Sequence, residues 1–255
     1  MEFLARIEAP FLIGAVAFYL AAMIAFWIGL FLWPKREEGE TRLHPGDFAR
    51  IFLWIGAVLH LVSVAGQGPP LFTSNKGVAG LFGFLLVTAF LIVGRRLGMG
   101  SGSVVAPVAL CLTLYSLLAN KVHTYVPDGT LEKIFLAAHV FIILLGYVSL
   151  AFAFAASLLY LKQESLLKQK KLTGMWRKLP SLGVSDEWIY RATGFGLALL
   201  TVGLLTGVAY SAFEKPSYSA LRDPKVIFSG ATWAVFGLYL ASRWWLGWHG
   251  RRSSM

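Results

Sequence analysis

The sequence predicts an all-α membrane bundle of about seven transmembrane helices, and three observations carry that prediction. Of 255 residues, 57% are hydrophobic and only 14% are charged, whereas an average soluble domain carries about 25% charged residues. Apolar runs recur at lengths near the roughly 20 helical residues that cross a ~30 Å hydrocarbon core. The basic residues also gather in alternate connecting segments rather than evenly.

Seven apolar segments follow in order: 11–33, 48–66, 77–94, 103–119, 134–161, 192–213 and 226–246. The first is too long for the ~7–15-residue apolar region of a signal peptide. Its basic flank, Lys35 and Arg36, follows it rather than precedes it, so it reads as a retained helix with an outer N-terminus. The third is rich in glycine, and the small residues of GVAGLFG at 77–83 suit close helix approach. The fourth is the weakest, interrupted by Pro107 and preceded by the flexible GMGSGS run at 98–103. The fifth is long enough to tilt or to project beyond the bilayer. No internal repeat is evident, so one integral membrane domain over 1–255 is the economical reading.

Charge sets the expected orientation. With the N-terminus outside and the C-terminus inside, residues 34–50, 95–102, 162–191 and 243–255 are cytoplasmic and hold 16 of the 23 Lys and Arg residues. That matches the cytoplasmic bias of basic residues in short loops, and it explains the net charge of +10 without nucleic acid. The basic loop 162–191 is either an anchor on anionic lipid headgroups, worth roughly 1 kcal/mol per basic residue, or a docking site for a cytoplasmic partner. Trp176 and Trp188 fit both, and Pro180, Ser181 and Asp186 mark a turn before the sixth span.

Chemistry is bounded by what the chain lacks. Its one cysteine, Cys111, excludes an intrachain disulfide, a CxxC pair and a CxxCH haem attachment site. No HExxH, GxSxG or phosphate-cradling glycine motif is present. The expectation is a protein that is not an enzyme.

The histidines carry the remaining signal. His44 and His249 lie among charges in loops and read as solvated. His60 and His139 lie within apolar spans, where an ionisable residue is costly and marks a functional site by default. Counted from the outer helix ends, each sits roughly 8–9 Å below the outer boundary. Two neutral imidazoles at one depth suit a bis-histidine haem. An interhelical hydrogen bond or a water-lined pocket explains them equally well. The outer segment FEKPSYSALRDPK carries Lys215, Arg222, Lys225 and Asp223. Its cations either face carboxylates such as haem propionates or belong to a solvated turn set by Asp223–Pro224. His123 lies in the preceding outer loop.

The stretch AHVFIILLGYVSLAFAFAASLLYLKQESLLKQK around His139 resembles the central helix of the cytochrome c assembly protein family. LPSL at 179–182, the run from Tyr190 to Gly207, DPK at 223–225, and the closing Thr232–Trp233, Tyr239–Leu240 and Gly247–Arg252 elements are similar too. The likeness covers about 48–252. It implies a CcsA/HemX-type integral membrane protein that handles haem on the outer side of a bacterial cytoplasmic (inner) membrane. By the resemblance, His60 and His139 ligate the iron of a non-covalently held haem b, with Arg222 or Lys225 near the propionates. The implied partners are haem, membrane lipids, and a cytochrome c assembly protein or haem-biosynthesis enzyme. Two departures stand out. Arg222 replaces the last tryptophan of a tryptophan-rich motif that ends in W-D-P-K, and Ala241 stands where the family often has a histidine. These resemble the short HemX-type branch, for which a scaffold or regulator that binds no haem is the alternative. A small-molecule transporter is the third class.

Overall fold

The computed structural model describes residues 2–33, 44–68, 70–120, 129–171, 181–214 and 224–247, with side chains for all of these except 2–7, 95–99 and 210–214. Among the described residues there is no β-strand, and the chain is helical almost throughout. The helices are α1 (Glu2–Trp27, continued by a π turn at Ile28–Leu32), α2 (Pro45–Gln67), the short α3 (Pro70–Thr73), α4 (Asn75–Leu118), α5 (Thr130–Lys168), α6 (Leu182–Glu214) and α7 (Pro224–Trp245). Seven stretches among them are long and apolar enough to cross a membrane. The protein is therefore an integral membrane protein.

The chain divides into two compact units, one of residues 1–128 with 171–180 and one of 129–170 with 181–255. In the first, α1, α2 and both halves of α4 pack together. Leu12, Ala15, Tyr19, Ala22 and Phe26 of α1 are buried at helical spacing, and Phe26 meets Phe90 edge to face at 5.7 Å. Helical hydrogen bonding runs through all of α4, yet its two halves touch. A methyl on Gly80 would lie 2.6 Å from Ser116 Oγ, and Asn75 donates to the Tyr115 hydroxyl at 2.9 Å. A straight helix would separate residues 80 and 116 by about 54 Å, so the chain reverses within the element. The expected third and fourth spans are the two arms of that hairpin, Asn75–Gly94 and Gly100–Leu118. Gly80 and Gly83 let the arms approach, since a Cβ on Gly83 would crowd Thr113 and Leu112.

In the second unit α5 and α6 are antiparallel with their backbones in contact. A Cβ on Gly196 would sit 3.0 Å from the Gly146 carbonyl oxygen, and one on Gly203 would overlap Ile143. Helix α7, which buries few of its residues, is tied on by hydrogen bonds. Trp233 donates to Thr201 at 2.8 Å, Tyr147 pairs with Ser229 at 2.7 Å, and Arg243 makes a two-pronged contact with Asp186 at 2.8 and 2.9 Å.

Two local expectations are corrected. His44 is not solvated: it is 6% exposed and caps α2. Its Nδ1 accepts from the Gly46 amide at 3.2 Å while the His44 amide donates to Asp47 at 3.0 Å. The sixth helix begins at Leu182, ten residues before the expected apolar segment, so Asp186 lies inside a helix rather than in a turn. Its charge is tolerated there because Arg243 pairs with it. The fifth helix, long enough to project beyond the bilayer as expected, continues past its apolar run to Lys168, with Lys168 paired to Glu164 one turn earlier. His123, Arg222, Asp223, His249 and the stretch 172–180, with Trp176 and Pro180, lie outside the described residues.

Candidate functional site

His60 stands on the face of α2 that also carries Ser63 and Gln67, at spacings of three and seven residues that share one helix stripe. The imidazole is 0% exposed. The Tyr19 hydroxyl lies 3.2 Å from its Nδ1, and Phe84 packs edge-on against the ring at 5.9 Å. Tyr19 fits because Gly56 is opposite: a methyl there would fall 2.6 Å from Tyr19 Cε1. The other nitrogen, Nε2, has no hydrogen-bond partner in the protein. Its neighbour is Gly80, whose added Cβ would lie 3.7 Å away. Hydrogen bonding leaves the tautomer open. If Tyr19 donates, Nε2–H has no acceptor; if Nδ1–H donates, the Tyr19 proton has none.

His139 is arranged differently. It sits in α5, half-buried, with Nδ1 3.0 Å from Thr206 Oγ1 of α6. Thr206 Oγ1 is also 2.9 Å from the carbonyl oxygens of both Val202 and Gly203. The arrangement that makes two bonds rather than one has Nδ1–H donating to Oγ1 and the hydroxyl donating to a carbonyl. That leaves Nε2 with a bare lone pair, the form in which imidazole binds a metal. The ring lies parallel to Phe135 at 6.5 Å. Gly207 makes room for it, since a Cβ there would stand 2.8 Å from His139 Cε1.

Lys225 lies exposed in the first turn of α7. The Trp233–Thr201 contact fixes the register of α7 on α6. Counting ~1.5 Å per residue from that contact puts Thr206 and Lys225 toward the same end of the second unit. His139 and Lys225 therefore share one end, where α5 starts and α6 finishes. His60 belongs to the first unit.

A haem-binding histidine typically donates its second ring N–H to a fixed acceptor, which sets ring orientation and tautomer. His139 meets that requirement through Thr206. His60 offers an orphaned Nε2 but is fully enclosed, so a bulky ligand reaches it only if α2 and α4 part. No group of three or more His, Cys, Asp or Glu side chains suited to a metal ion occurs among the described residues.

Sequence reasoning found both histidines but not Tyr19, Thr206 or Ser116, which decide their chemistry. The period of polar residues on α2, at 60, 63 and 67, was the available signal that this face is buried against something polar.

A model of the family described as Cytochrome C assembly protein matches residues 74–255. The chain belongs to that family. The match takes in α4 to α7, hence His139 and Lys225, and begins after His60. The cytochrome c biogenesis protein CcsA of Guillardia theta is 25% identical over 253 residues, covering 91% of this chain and 82% of that protein. The protein of the same name from Trieres chinensis is 26% identical over 278 residues, covering 92% and 85%. The one from Chlamydomonas reinhardtii is 28% identical over 177 residues, covering 67% of this chain and 47% of its own length. No solved structure matches.

Proposed function

We propose that this protein acts in cytochrome c biogenesis by binding haem b non-covalently as cargo and presenting it to an assembly partner. The single observation that carries the reading is the His139–Thr206 pair, which holds an imidazole half-exposed with Nε2 free. Membership of the cytochrome c assembly family supports the pathway. The bare Nε2 lone pair of His139 supports its role as an iron ligand, and His60, with its unpartnered Nε2, is the second candidate. Lys225, at the His139 end of its unit, is a described cation suited to a propionate, and Arg222 is the second. With no catalytic constellation in the sequence, the role is binding and transfer rather than bond-making. The charge bias of the loops supports placing the His139 end on the outer side of the membrane, with the N-terminus outside.

The test is the absorption spectrum of detergent-purified protein after haem addition, beside His60→Ala and His139→Ala. A low-spin Soret band in the wild type that weakens in both variants is the expected result. A wild type that takes up no haem overturns the proposal. The full burial of His60 favours a second reading in which that residue is structural. A band lost only in His139→Ala would establish it, and a scaffold that binds no haem would follow only from a wild type without the band.

A further inference from the structure

The first unit buries more polar chemistry than its helix contacts use. His60 and Ser63 are 0% exposed and Gln67 is 9% exposed, all on one stripe of α2. Facing them are Glu8 and Tyr19 of α1 and Ser116 of α4. Ser63 donates to the Glu8 carbonyl oxygen at 3.0 Å, which places Glu8 one helical turn from His60 on one side and from Gln67 on the other. The Glu8 carboxylate meets the Lys76 ammonium at 3.4 Å, with the two side chains 8% and 16% exposed.

Three side-chain atoms along the stripe have no protein hydrogen-bond partner: His60 Nε2, Gln67 Nε2 and Ser116 Oγ. Two of these flank Gly80: Ser116 Oγ fills the place of its missing Cβ, 2.6 Å from that position, and His60 Nε2 lies 3.7 Å from the same point, which puts the two atoms within reach of one bridging water. Leaving a buried polar group without a partner is costly. Three in one small helical unit is far from the usual pattern, in which such groups bond to protein or to ordered water. Internal water makes about three hydrogen bonds and sits where several such groups converge.

We infer that α1, α2 and α4 enclose internal water, held by His60 Nε2 and Ser116 Oγ beside Gly80 and by Gln67 Nε2 two turns along α2, with Glu8 at the level between them. The ligand is water itself, and the consequence is that water adjoins a fully enclosed imidazole while the helices stay closed. This also resolves the tautomer of His60. With water at Nε2 as donor or acceptor, neither arrangement with Tyr19 leaves a proton unbonded.

X-ray radiolytic hydroxyl labelling of the detergent-purified protein, read by mass spectrometry, tests this without haem. Radicals form from the water present at a site, so enclosed side chains react only where water adjoins them. Phe26 and Phe90, each 1% exposed in apolar surroundings of the same unit, are the internal controls. The expected result is oxidation of His60 at least ten-fold faster than of either phenylalanine. His60 as unreactive as those controls overturns the inference. Gln67→Leu and Ser116→Ala should each slow His60 labelling at least three-fold while Phe26 and Phe90 stay silent. Unchanged labelling in both variants rejects the assigned walls. Should a variant loosen the unit, its phenylalanines will react too, and the wild-type comparison decides alone.

Discussion

The surroundings of His60 and His139 solve the same problem in opposite ways. Both imidazoles lie in membrane-spanning helices, both have Nδ1 near a hydroxyl from a neighbouring helix, and both face a glycine. At His139 the hydroxyl belongs to Thr206, whose proton has two carbonyl acceptors on its own helix at 2.9 Å. A helix interior thus fixes the direction of the whole chain of bonds. At His60 the hydroxyl belongs to Tyr19, whose oxygen reaches no such carbonyl, and the direction is undetermined. A serine or threonine bonded back to its own helix is a one-way acceptor for a partner; a tyrosine is not. The first arrangement leaves Nε2 with a bare lone pair, and the second leaves the position of the ring proton open.

The largest effect should come from deleting the enclosed ring. His60→Ala removes a fully buried side chain and strips Tyr19 of its partner. Truncation of a buried aromatic costs about 3–5 kcal/mol, and packing of this kind is what holds membrane helices together. His139→Ala, at a half-buried site, should cost about 1 kcal/mol or less. Denaturant unfolding in detergent should therefore separate the variants clearly. Equal stability losses would mean that the two sites are equivalent after all.

Next in size is the loss of the fixed acceptor. Thr206→Val keeps the shape of the side chain and removes the bond that sets the His139 tautomer. Loss of such a supporting partner costs about 10–100-fold in metal affinity. Haem titration should show a drop of that order with little change in melting temperature, while Thr206→Ser should restore most of the affinity. A Thr206→Val protein that binds haem like the wild type would break the proposed link between tautomer and ligation.

Hydropathy alone made the seven spans legible, because hydrocarbon forces every spanning segment to be long and apolar. The two histidines were legible for the converse reason, as the exceptions that such segments tolerate only with partners. Their partners were not. Tyr19 is 41 residues from His60, and Thr206 is 67 residues from His139. Which faces meet depends on helix rotation, at about 100° per residue, and apolar runs without a polar face do not encode rotation. The same limit hid the charged start of α6. Asp186 looked like a loop residue because its cation, Arg243, lies 57 residues away. His44 was misread because charged neighbours suggest solvent, whereas a capping role depends only on the local backbone of His44–Asp47.

The glycines give the finest comparison. Gly56→Ala would place a methyl 2.6 and 2.7 Å from the ring of Tyr19 and 3.2 Å from Phe18 Cβ. Tyr19 is 0% exposed and has nowhere to turn, so overpacking of about 1–3 kcal/mol is expected. Gly207→Ala makes a similar clash, 2.8 Å from His139 Cε1, but that ring is only part-buried and has more room to shift. Its cost to unfolding should be about 0.5 kcal/mol or less, the range of substitutions outside a tightly packed core. The displaced ring would loosen its bond to Thr206, so haem affinity should fall a few-fold while stability holds. Paired melting curves and haem titrations for the two variants check this. A Gly207→Ala protein as destabilised as Gly56→Ala would show that His139 is held as rigidly as His60, and the difference in access between the two sites would lose its physical basis.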